Sequence, residues 1–102
     1  MRERLLGGVC WVIDPGHGWL RVPLVSAEGL GVSEYSYIDK RGGWLYLEED
    51  CDAGVWLRAH RVSGNAFPVS ILDYDAPIRD LPRVPAVGSW ARGVVGREGV
   101  EA

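Results

Sequence analysis

Four carboxylates fall within five residues at Glu48, Glu49, Asp50 and Asp52, with Cys51 among them. Hard divalent cations prefer several oxygen ligands, so Glu49, Asp50 and Asp52 are the candidate metal-ligating residues. A plainer role competes with this one. Acids at the start of a helix lie at the positive end of its dipole and stabilise it by roughly 0.3–1 kcal/mol each. The run lacks the alternating oxygens and mid-loop glycine of an EF-hand, which favours the plainer role. His17, between Gly16 and Gly18, is the candidate base of a small hydrolase, with Asp14 as an orienting acid and Cys51 as a partner thiol. The clustered acids disfavour a thiolate at Cys51, and that argues against a nucleophile there. A zinc centre would have to assemble Cys10, Cys51, His17 and His60 with no Cys-x-x-Cys or His-x-x-x-His pair to begin from. No resident metal or cofactor is therefore assigned.

A second group of residues is built for contact. Tyr35, Tyr37, Trp44 and Tyr46 alternate in sequence so that their rings share one face of a ribbon. Such a face can stack bases or anchor a protein. Base stacking needs accompanying cations, and only Lys40 and Arg41 at the ribbon tip supply them, beside Glu34, Glu48 and Glu49. A protein partner with a basic surface suits this aromatic and acidic combination better.

The elements that must carry these residues can be read from turn formers and alternation. Val9–Asp14 and Trp19–Val22 form a first hairpin across the Asp-Pro-Gly-His-Gly connection. Pro23 opens a short helix over Leu24–Leu30 that stops at Gly29 or Gly31. Tyr35–Asp39 and Trp44–Glu48 flank Lys40-Arg41-Gly42-Gly43, a second hairpin in which Asp39 faces Trp44, Tyr37 faces Tyr46 and Tyr35 faces Glu48. Ile38, Leu45, Ser36 and Leu47 take the opposite, largely aliphatic side. A second helix, capped by Asp50 or Asp52, runs to about Ser63 with Cys51, Val55, Ala59 and Val62 inward. Phe67–Tyr74 is the last strand. The order β-β-α-β-β-α-β implies an α+β domain with an antiparallel sheet of about five strands and two short helices on one face.

His17-Gly18-Trp19-Leu20-Arg21-Val22-Pro23, Tyr35-Ser36-Tyr37 and Tyr46-Leu47-Glu48-Glu49-Asp50-Cys51-Asp52-Ala53 together resemble a family of short uncharacterised proteins from phages and mobile elements, over about residues 9 to 64. The resemblance implies a genomic setting and carries no catalytic residue with it.

Length and composition bound the rest. With 102 residues the chain suits one domain, expected over residues 1–76, followed by a Pro/Gly-rich tail at 77–102 that wraps or is partly disordered. The body holds seven bases and eleven acids, net −4, and the tail is net +1, so there is no positive field to gather nucleic acid. Ten arginines against one lysine, with Thr and Gln absent, fit the codon usage of a GC-rich genome. Two cysteines are too few for a disulfide framework, and no apolar run reaches the roughly 20 residues of a membrane span. A cytoplasmic protein is expected. The function expected is non-enzymatic binding of a protein partner through Tyr35, Tyr37, Trp44, Tyr46, Glu48, Glu49, Asp50 and Asp52. The alternatives are a metal-dependent or His17-based hydrolase and a homodimer built through the Phe67–Tyr74 edge.

Overall fold

The computed structural model describes residues 6–84. It is a small α+β domain with a five-stranded sheet. The strands are β1 (Cys10–Ile13), β2 (Gly18–Pro23), β3 (Tyr37–Asp39), β4 (Trp44–Glu48) and β5 (Val69–Ile71), in the spatial order β3-β4-β2-β1-β5. One α-helix, α1 (Asp52–His60), and 3₁₀ turns at Leu24–Ala27, Gly64–Ala66 and Pro77–Asp80 complete the described residues.

Each hairpin turn is held by its own aspartate. Asp14 Oδ1 accepts from the backbone N–H groups of Gly16 (3.0 Å) and His17 (2.8 Å), an Asx turn between β1 and β2. Asp39 does the same between β3 and β4, where Gly42 N–H donates to its Oδ1 at 3.0 Å. Gly43 closes that loop at φ +78°, a conformation a Cβ would strain. The register is the one that a four-residue loop dictates: Tyr37 opposite Tyr46, Ile38 opposite Leu45, Asp39 opposite Trp44. Tyr35 lies before the strand begins and does not pair with Glu48 in the ladder.

Alternation gives the sheet two different faces. Leu20, Val22, Ile38, Leu45 and Leu47 point to one side and are buried against Ala53 and Trp56 of α1 and against Leu24 and Ala27. Trp19 points to the other side, where Ala76 and Ile78 cover it and Val12, Tyr37, Tyr46, Leu72 and Leu81 surround it. Residues 77–84 thus lie on the sheet. Pro82 O accepts from Ile38 N–H at 2.9 Å and Val84 N–H donates to Ser36 O at 2.9 Å, so this segment also covers the outer edge of β3. The remainder of the expected tail, 85–102, lies outside the described residues.

Other details differ from the sequence expectation: the last strand is Val69–Ile71 rather than Phe67–Tyr74, and the helix after β4 ends at His60 rather than near Ser63. The sheet is mixed rather than antiparallel: β5 runs parallel to β1. The cause is α1, which carries the chain back over the sheet after β4, so that the following strand points the same way as the one before the helix. The first expected helix is a four-residue 3₁₀ turn, Leu24–Ala27, and its Ser26 hydroxyl bonds back to Pro23 O at 2.6 Å. The inward stripe of α1 is Ala53, Trp56 and Leu57, not Cys51, Val55 and Ala59, and Cys51 is exposed at the N-cap without a side-chain cap bond. The indole of Trp56 fixes this rotation, since it donates to Ser26 Oγ at 2.8 Å in the core.

Candidate functional site

A half-open cleft of about 520 Å³ lies on the second face of the sheet. It is lined by His17, Trp19, Tyr35, Tyr37, Glu48, Cys51, Arg79 and Arg83. That volume falls within the range of ligand-binding pockets, roughly 300–1,000 Å³. Four elements build it: the β1–β2 turn brings His17, β2 brings Trp19, the β3–β4 ribbon brings Tyr37 and Glu48, and the 3₁₀ turn at Pro77–Asp80 brings Arg79.

Asp14 ties the last of these to the first. Its carboxylate, buried in the fold, takes the Arg79 guanidinium at 2.5 Å and 3.2 Å, the Ala76 N–H at 2.8 Å, and the two turn N–H groups. The Arg79 hydrogen bond, with those of Ala76, His17 and Gly16, outweighs burial and holds this carboxyl well below the usual carboxylate range. In return Asp14 raises the Arg79 pKa. Arg79 lies over the Trp19 ring at 5.1 Å and donates to His17 Nδ1 at 2.9 Å. A guanidinium carries donors only, so Nδ1 is the acceptor nitrogen of His17 and the ring proton sits on Nε2. His17 therefore presents its Nε2–H to the cleft, with its ring stacked near Trp19 at 5.8 Å. Its lone pair is occupied, which leaves the expected general base without a free site. Asp14 grips the turn backbone and Arg79 rather than the imidazole.

The acidic run divides. Asp52 is 1% exposed, and its oxygens accept from Ser33 N–H (3.1 Å), Ser33 Oγ (2.7 Å) and Ser36 Oγ (2.5 Å). It holds the loop before β3 against the start of α1. Glu49 and Asp50 are exposed, while Glu48 is half-buried and lines the cleft. Among the described residues no group of three or more His, Cys, Asp and Glu side chains is placed to hold a metal ion. Cys51 lines the cleft but donates its thiol to Asp52 Oδ1 at 3.6 Å. The Asp52 charge, and then burial, push that thiol above its ordinary pKa, so the thiolate is disfavoured. Its raised pKa fits the sequence argument, whereas its exposure corrects the buried position expected of it.

Of the aromatic set, Tyr35 and Tyr37 line the cleft. Tyr35 is 59% exposed, and this large ring on open surface is what a contact residue requires. Tyr46 and Trp44 lie along the same sheet face outside the cleft: Tyr46 packs into the Trp19 cluster, and Trp44 carries the Arg21 guanidinium at 4.1 Å from its ring centre. Burial raises the Tyr46 pKa. His60 is half-buried: its Nε2 bonds Ser26 O at 2.8 Å and its ring lies 4.4 Å from that of Trp56.

Arg79 and Arg83 were not singled out by the sequence reading. They belong to the segment after Asp75, whose composition carries no periodic signal, and no local spacing connects them to His17 or Tyr37. No protein-family model matches the chain, and neither a curated protein nor a solved structure matches it. Among the described residues no helix is long and apolar enough to cross a membrane.

Proposed function

We propose that the protein is a non-enzymatic binding module, an accessory protein of a phage or mobile element, that engages a protein partner through the cleft face of its sheet. The observation that carries this reading is the open ring of Tyr35 beside Tyr37 and Glu48 in a cleft whose wall, Arg79, is held by Asp14 and His17. Binding hot spots pair exposed aromatics and arginines with a polar rim. Here Glu48, Glu49 and Asp50 supply an acidic rim for a partner with basic groups, and Trp44 and Tyr46 extend the face. The genomic setting rests on the sequence resemblance alone.

Capture from native host lysate tests the reading. Tyr35→Ala and Glu48→Gln each remove a cleft-lining group and are expected to weaken recovery of one discrete partner while leaving the unfolding midpoint close to that of the unaltered chain. Recovery that is insensitive to both changes contradicts the proposal.

A further inference from the structure

The two arginines of the cleft are in different states. Arg79 has both terminal nitrogens engaged, one on Asp14 and the other on Asp14 and His17, so it forms a wall. Arg83 is exposed and lies over the Tyr37 ring at 5.1 Å. Among the described residues its guanidinium meets one acceptor, Glu34 O, at 3.3 Å through a single terminal nitrogen. The rest of its planar fork is open, and that fork matches a carboxylate in two parallel hydrogen bonds. Across the same cleft, the Nε2–H of His17 has no acceptor among the described residues and can donate to an anion. Glu48 lines the cleft too, with Glu49 and Asp50 exposed beside it in sequence. A multiply charged anion such as a phosphate ester is repelled by these acids, whereas a single carboxylate next to a cation satisfies both signs of charge.

Resting on the protein-binding reading above, we propose that the cleft receives the carboxy-terminal end of the partner's chain. The terminal carboxylate lies on Arg83, its last side chain lies against Tyr35 and Tyr37, and a basic residue just before it faces Glu48. A cleft of about 520 Å³ has the scale of one compact ligand rather than of a long groove, which fits a chain that stops inside it. Capture of a terminal carboxylate is also an established mode of peptide recognition.

The test uses the ¹⁵N-labelled full chain and two synthetic peptides, acetyl-Gly-Arg-Phe with a free carboxyl terminus and the same peptide as its amide, with inorganic phosphate as a third probe. The free acid is expected to shift the Trp19 indole N–H and the Arg83 Nε–H signals saturably, with the amide and phosphate at least about tenfold weaker, the loss expected for a charge-assisted pair. Arg83→Gln should abolish the difference between acid and amide, and Arg83→Lys, which keeps the charge without the fork, should retain part of it. Equal binding of acid and amide overturns the chain-end proposal, as does the absence of saturable shifts with either or a preference for phosphate. None of these outcomes alters whether host-partner capture depends on Tyr35, so failure here is separable from failure of the protein-binding reading.

Discussion

At Asp14 one side chain joins two distant stretches of chain: its carboxylate accepts from the turn at Gly16 and His17 and from Ala76 and Arg79, more than sixty residues on. Because its folded pKa lies below the roughly 3.9 of an unfolded aspartate, the unfolded chain takes up the proton first. The stabilisation is therefore complete at neutral pH and drains away as pH falls below about 4 towards the lowered folded value. Asp14→Asn is expected to unfold at lower urea than the unaltered chain near neutral pH, with the gap narrowing steadily in acid; a gap independent of pH contradicts this assignment. Asp52 makes a separate prediction. Asp52→Asn turns a carboxylate acceptor into a group that is half donor, facing two serine hydroxyls, and should cost about 1.5–3 kcal/mol by urea denaturation. The same change removes the charge that chiefly raises the Cys51 pKa, so Cys51 should alkylate faster in a Cys10→Ser background. The chemistry of Cys51 was legible because like charges stood next to it in sequence. The roles of Asp14 and Asp52 were not, because their partners come from other segments of the chain.

Elements were readable where a local rule had no competitor. The β3–β4 ribbon follows from strict alternation around Lys40-Arg41-Gly42-Gly43, and its pairing came out residue for residue from Tyr37 to Asp39. In α1 two apolar stripes compete in nine residues, and the winner is the one containing Trp56, whose buried area and indole N–H outweigh those of Val55 and Ala59. The direction of β5 follows from the helical crossover, which a strand pattern by itself does not encode. Backbone geometry at the start of β1 offers a check at this scale. Gly8 has φ +78°, its carbonyl accepts from Arg21 at 2.8 Å, and a Cβ there would stand 2.6 Å from the Trp44 ring. Gly31 has no positive φ and open space around it. Gly8→Ala should therefore cost upwards of about 1–2 kcal/mol from the left-handed backbone alone, whereas Gly31→Ala should stabilise by about 0.4–1 kcal/mol. Thermal unfolding of the two variants reads opposite signs if the local geometry is right.

At the scale of the whole molecule, the helix and the first 3₁₀ turn bury one face of the sheet, and among the described residues the other is partly covered by residues 72–84. That incomplete cover makes the cleft, and the segment making it is the one whose composition reads as an irregular tail. The aromatic half of the site was visible in the alternation of Tyr35 and Tyr37. The arginine half depends on a chain return that no periodicity announces. The central claim, that this face meets a partner, is tested most directly by photocrosslinking in the native host. A benzophenone amino acid replaces Tyr35 in one version of the chain and Arg58, exposed on α1, in another. The account predicts one discrete adduct from position 35 and none from position 58; adducts of equal yield from both, or none from position 35, contradict it.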